Sequence, residues 1–122
     1  MTRDTEPPDG DASASPDHFV REWREFMGWS QEELAEMANV HHTTIGRIET
    51  GKRKLKTRFL RDLAKLFGVP ASAIMDINPA TESGAKTARM LLAWERLSQS
   101  QRDDILKMVT ALAGLDAKKD AS

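Results

Sequence analysis

Cysteine is absent from the 122 residues. That excludes disulfides and any Cys-ligated metal or iron–sulfur site, and it fits a reducing cytoplasm. No apolar run approaches the ~20 residues of a membrane-spanning helix. No basic segment followed by an apolar one opens the chain, so neither a span nor a signal peptide is expected. Strand-like alternation is missing throughout, which leaves an all-α chain. Net charge is nearly missing as well, at −1, and so small a total argues against a polyanionic partner. Its distribution argues the other way. Residues 1–17 hold five acids against one base, whereas residues 41–65 hold eight bases against two acids, a net of +6. A local basic zone is the electrostatic footprint of a nucleic-acid surface. Charge alone would favour a solvated Lys-rich face.

The apolar positions order the chain. Residues 1–16 are acidic and rich in Pro, Ser and Ala, with almost no large apolar residue, and are expected to be a disordered tail. Such a tail could compete with DNA for the basic zone. A first helix is predicted from Asp17, its cap, to Met27, with Phe19, Val20, Trp23 and Phe26 on one face and Gly28 ending it. The second helix has a full start signal. Ser30 and Glu33 form a capping box, and Trp29 is placed to staple Leu34. Asn39 ends it, in a turn that needs positive φ. A third helix runs from His42 to Glu49, with Ile45 and Ile48 as its large apolar residues, and Gly51 stops it before a basic loop, "KRKLK". A fourth spans about 58–67 behind a Thr57 cap, and a short fifth spans about 71–75.

"NPATESG", residues 78–84, reads as a linker between a domain at 17–77 and a helical region at 85–115. That region is predicted as two amphipathic helices, 85–97 with Leu91, Leu92 and Trp94, and 99–113 with Ile105, Met108, Val109 and Leu112. Residues 116–122 form a polar tail, expected to be disordered.

Two short helices on a tight turn, supported by three others, describe a helix-turn-helix. Ala35 must be small because the third helix crosses close over it. Ile45 and Ile48 hold the pair to the core. Residues 18–76 resemble the Cro and phage-repressor type of helix-turn-helix domain. The similarity is carried by "SQEELAEMANVHHTTIGRIETGKRK" and "TRFLRDLAKLFGVPASAIMD", with Gln-x-x-Leu-Ala, Ile-x-x-x-Glu-x-Gly-Lys and Leu-Ala-x-x-x-Gly-Val in order. Asn39 stands where that family prefers Gly, and Thr50 where it commonly has Asn.

On a wheel of about 100° per residue, Ile45, Ile48 and Glu49 of the third helix point one way, and Thr43 and Arg47 point directly away. The resemblance implies that His42, Thr43 and Arg47 read base edges in the major groove of double-stranded DNA. Arg can bond guanine in two places, and a Thr methyl can touch thymine. Gln31, His41, Thr44, Lys52, Arg53, Lys54 and Arg58 are the phosphate candidates, which position without specifying sequence. Gly46 is an exposed helical glycine that either a close approach to DNA or tolerance of a mild helix defect would explain. The resemblance further implies an internal ion pair between Arg24 and Glu49 that orients the third helix.

No cofactor is expected. His41 and His42 are adjacent and diverge on a helix, and His18 is the only other histidine, so no metal site is predicted. No nucleophile–base arrangement stands out, so the chain is not read as an enzyme. The region after residue 84 is too short for the self-cleaving domain that some phage repressors carry. Leu91, Leu92, Trp94, Ile105, Met108, Val109 and Leu112 are read as a homodimer surface. The resulting expectation is a cytoplasmic, dimeric, sequence-specific regulator that represses from a palindromic operator. The competing one is an antitoxin-like interaction module whose C-terminal helices bind a protein partner, with DNA binding secondary.

Overall fold

The computed structural model describes residues 16–115, and among them the chain is all-helical. The elements are α1 (Val20–Phe26), α2 (Gln31–Ala38), α3 (His42–Glu49), α4 (Thr57–Phe67), α5 (Ala71–Asp76), α6 (Glu82–Glu95) and α7 (Gln99–Leu112). The tails predicted at 1–16, save Pro16, and at 116–122 lie outside the described residues.

The core is built on α1. Val20 and Trp23 are fully buried, together with Leu34, Ile45, Leu63, Phe67 and Ile74 from the four helices that follow. A buried indole must place its N–H. Trp23 Nε1 donates to the carbonyls of Ala73 and Ile77, 3.0 Å from each, and so ties α1 to the end of α5. Helix α1 starts three residues later than predicted. The Phe19 amide donates to the Ile74 carbonyl at 2.8 Å, so a tertiary bond takes a first-turn donor that the expected Asp17 cap would have had to satisfy. Asp17 is therefore not its cap; the N-cap is Phe19, which offers no side-chain acceptor, and His18 Nδ1 takes the Val20 amide at 3.3 Å.

Helix α2 has the predicted start. Ser30 Oγ accepts from the Glu33 amide at 3.0 Å, and Glu33 Oε1 accepts from the Ser30 amide at 2.8 Å. Trp29, for which the capping pattern predicts Leu34 as partner, lies flat on Phe67 with ring centroids 5.7 Å apart. Asn39 adopts φ 59°, the left-handed conformation that turns the chain into α3. Ala35 is buried at the crossing of α2 and α3.

The C-terminal half departs from expectation. Helix α6 begins at Glu82, so residues 82–84 are its first turn and not linker. The Asn78 carbonyl accepts from the Thr81 amide at 3.2 Å and its hydroxyl at 2.8 Å, and Thr81 Oγ1 caps α6 by accepting from the Gly84 amide at 3.0 Å. A cluster of Asn, Pro, Thr, Ser and Gly reads as a loop, yet the same residues also build turns and caps. Helix α6 packs on the domain that precedes it. Ala88 is fully buried in the core, and Leu91 and Leu92 lie against it.

Helix α7 buries no residue. It is joined to the end of α6 through Arg102, which donates to the Trp94 and Glu95 carbonyls at 3.0 and 3.2 Å and sits over the Trp94 ring at 5.8 Å. A cation there also complements the helix C-terminus. Met108, Val109 and Leu112 remain 62, 52 and 83% exposed, whereas Ile105 is half-buried. Of the residues assigned to a dimer surface, Leu91, Leu92 and Trp94 are half-buried, the first two against the core and the third beneath Arg102.

Candidate nucleic-acid interface

The face of α3 turned from the core is presented by a fixed set of contacts. Ile45 and Ile48 are buried, and Glu49 is only 4% exposed. His42, Thr43 and Arg47 are exposed. Their orientation follows from the helical wheel, but its rigidity comes from a charge network beneath it. Arg24 Nε donates to Glu49 Oε2 at 2.6 Å and Arg24 Nη2 to Oε1 at 3.1 Å. Arg24 Nη1 donates to the Trp29 carbonyl at 2.7 Å. Gln31 Nε2 donates to Glu49 Oε1 at 3.0 Å. Arg21 Nε stands 3.9 Å from the same oxygen. One carboxylate thereby links α1, the start of α2 and the end of α3. Its hydrogen bond raises the Arg24 pKa, against the opposing effect of burial.

Gln31 is therefore held as well as placed. Its amide nitrogen is engaged with Glu49, and its side chain lies across Gly46, where a Cβ would meet Gln31 Oε1 and Nε2 at 3.6 and 3.7 Å. These are ordinary contacts, so the protein alone does not require glycine at 46. Gln31, His42, Thr43, Gly46, Arg47, Thr50 and Lys52 line one shallow concavity, which joins the base-reading candidates to two flanking polar groups. Thr44, Arg53 and Lys54 line a neighbouring cleft against Val40 and Phe59. Arg58 is exposed on the first turn of α4 and lines neither.

Three roles escape a reading of the sequence. His41, considered for phosphate, is the N-cap of α3. Its Nδ1 accepts from the Thr43 amide at 3.2 Å and lies 2.9 Å from the Thr43 hydroxyl, while its ring stacks on His42 at 4.5 Å. Thr43 thus offers its methyl more freely than its hydroxyl. Thr50 Oγ1 turns back to the Gly46 and Arg47 carbonyls at 3.0 and 3.3 Å and closes the end of the helix. His18 is only 5% exposed, accepts from the Val20 amide at 3.3 Å, and bonds the Ile48 backbone. None has a periodic signature, because His41 and Thr50 act at the two ends of α3 and His18 acts outside any helix.

Burial lowers the His18 pKa from its ordinary 6.5, opposed by Asp17, the Ile48 bond, Glu22 and Glu49. The folded state therefore binds this proton less readily than the unfolded state does. Its contribution to stability is complete above 6.5 and is lost as pH falls through the lowered folded value. Urea midpoints should drop between about pH 7.5 and about pH 5.5, and His18→Gln should flatten that drop. An equal drop in both proteins would place the titration elsewhere.

Residues 20–74 match the family model described as Helix-turn-helix. Neither a curated protein nor a solved structure matches the chain. Residues 20–74 are a helix-turn-helix domain of the Cro and phage-repressor type, which is the DNA-binding module of a class of transcriptional regulators. Among the described residues, no helix is long and apolar enough to cross a membrane.

Proposed function

We propose that the chain is a cytoplasmic repressor that binds a palindromic operator as a homodimer, with α3 in the major groove. One observation carries this reading. The network on Glu49 holds α3 so that Arg47, His42 and Thr43 project together while Ile45 and Ile48 remain in the core. Arg47 reads guanine, the Thr43 methyl contacts thymine, and His42 bonds a base edge. Lys52, Arg53, Lys54 and Arg58, with the amides and hydroxyls around His41 and Thr44, take phosphates. A dimer sets two such helices about 34 Å apart on one face of the duplex.

The dimer rests on the apolar stripe of α7, whose Met108, Val109 and Leu112 stay exposed among the described residues beside the half-buried Ile105. The same stripe supports the second reading, in which another protein docks there and DNA binding is secondary. Repression by steric blockage needs nothing beyond the domain described.

Selection from a randomised duplex pool tests the reading. An inverted repeat with half-sites one turn apart is the expected product, and Arg47→Ala should lose about 1–3 kcal/mol of preference at one base position in each half. No enrichment at low salt by folded protein would overturn sequence-specific binding. A single half-site would keep base reading and remove the dimer.

A further inference from the structure

A second concave surface lies beside the interface and is not needed for base reading. It has a volume of about 650 Å³ and is lined by Asp17, His18, Lys52, Arg53, Lys54 and Met75, among others. Three of these are exposed cations on the loop between α3 and α4, facing a single exposed carboxylate. Among the described residues, none of the three forms an ion pair. Pro16, where the described chain begins, is itself part of the lining.

The chain that leads into Pro16 has the opposite charge. Residues 1–15 contain Asp4, Glu6, Asp9 and Asp11 against Arg3. Asp11 and Asp9 are five and seven residues from Pro16, a reach of up to roughly 17–25 Å at about 3.3–3.6 Å per residue. Pro16 itself lines the cavity, so the acidic residues need only turn back from their point of entry to reach it. A segment so tethered is present at an effective concentration of about millimolar, and a short connection favours the nearest complementary surface.

We infer that residues 1–15 dock, in the same chain, on the basic cavity formed by Lys52, Arg53 and Lys54 at its point of entry. Charge complementarity, the tether length and the place where the segment joins the domain select this occupant over a free peptide. The consequence rests on the proposed DNA reading. The same three cations are then shared between the acidic segment and DNA phosphates, so the segment is a built-in competitor. It weakens non-specific binding most, because that binding draws almost wholly on phosphate contacts. The competition fades with salt as both attractions are screened.

The test uses the full chain and a full-length variant carrying Asp4→Asn, Glu6→Gln, Asp9→Asn and Asp11→Asn. Two quantities are read. One is the set of backbone amide resonances of residues 51–55 without DNA, and the other is affinity for a mixed-sequence duplex. In low salt the loop resonances should differ between the two proteins, and the variant should bind the duplex roughly fivefold more tightly, with the gap closing near 0.5 M salt. Identical loop resonances would overturn the docking whatever DNA does. Shifts that grow with protein concentration would assign the segment to a second copy and overturn the intramolecular contact. Shifted resonances with equal duplex affinity would overturn the competition. Shifted resonances with no duplex binding by either protein would uphold the docking and refute the DNA reading instead.

Discussion

Replacing Glu49 with alanine is expected to remove about 3–5 kcal/mol of stability, the cost of leaving one member of a buried ion pair without its partner. Arg24 is only 8% exposed, and with Glu49 gone it keeps one hydrogen bond, to the Trp29 carbonyl, and the exposed Glu25 carboxylate at 3.9 Å. The charge cannot be shed by deprotonation, since arginine stays cationic at any accessible pH. Gln31 loses its acceptor at the same time. Guanidinium or urea denaturation of Glu49→Ala measures the loss. The companion variant Arg24→Met with Glu49→Leu should recover most of it, because well-packed apolar residues commonly replace a buried pair at little cost.

That double variant also separates stability from orientation. If the network only holds the domain together, the stabilised double variant binds DNA as the parent does. If it aims α3, the double variant folds but loses discrimination between operators, because neither Gln31 nor the end of α3 is tethered. A loss below about 1 kcal/mol on Glu49→Ala would show that water reaches the pair and that it contributes as a surface pair does.

Gly84→Ala has the second largest expected effect. A Cβ at residue 84 would fall inside the carbonyl oxygen of Asn78, 2.6 Å from its carbon and 2.7 Å from Thr81 Oγ1. Two of these atoms are backbone and the third is the cap of α6, so none can move without breaking the turn. Overpacking of this kind costs typically 1–3 kcal/mol, and the rigid obstacle places this site at about 3 kcal/mol. Ala88, Leu91 and Leu92 depend on that turn for their seat on the core. Hydrogen exchange across α6 should therefore rise more than exchange in α2 or α3. Uniform protection, unchanged from the parent, would mean that the turn has room to open.

Gly46 is the contrasting case. It sits in a helix with ordinary space for a Cβ, so alanine there has no steric penalty within the protein. The reason for glycine, if there is one, lies outside the folded chain, on the side that faces the proposed duplex.

Much of this domain is legible one residue at a time. Ser30 with Glu33, and Asn39 at the turn, act through neighbours three or four positions away, so composition and order settle them without reference to the rest of the fold. Ile45 and Ile48 share a face by helical period alone, which leaves Thr43 and Arg47 outward by subtraction. The match over residues 20–74 agrees with that local reading. Distant groups add what no local pattern carries. Phe19 gives its amide to Ile74 near the start of α1, Trp29 lies on Phe67, His18 is buried beside α1, and Gln31 bonds Glu49. The two C-terminal helices show the same limit most plainly. Both carry an amphipathic stripe of similar strength, and periodicity cannot say what each stripe meets. Only the packed structure decides that α6 closes the core while, among the described residues, α7 leaves Met108, Val109 and Leu112 exposed, because burial depends on which surfaces the chain brings together in space and not on the spacing within either helix.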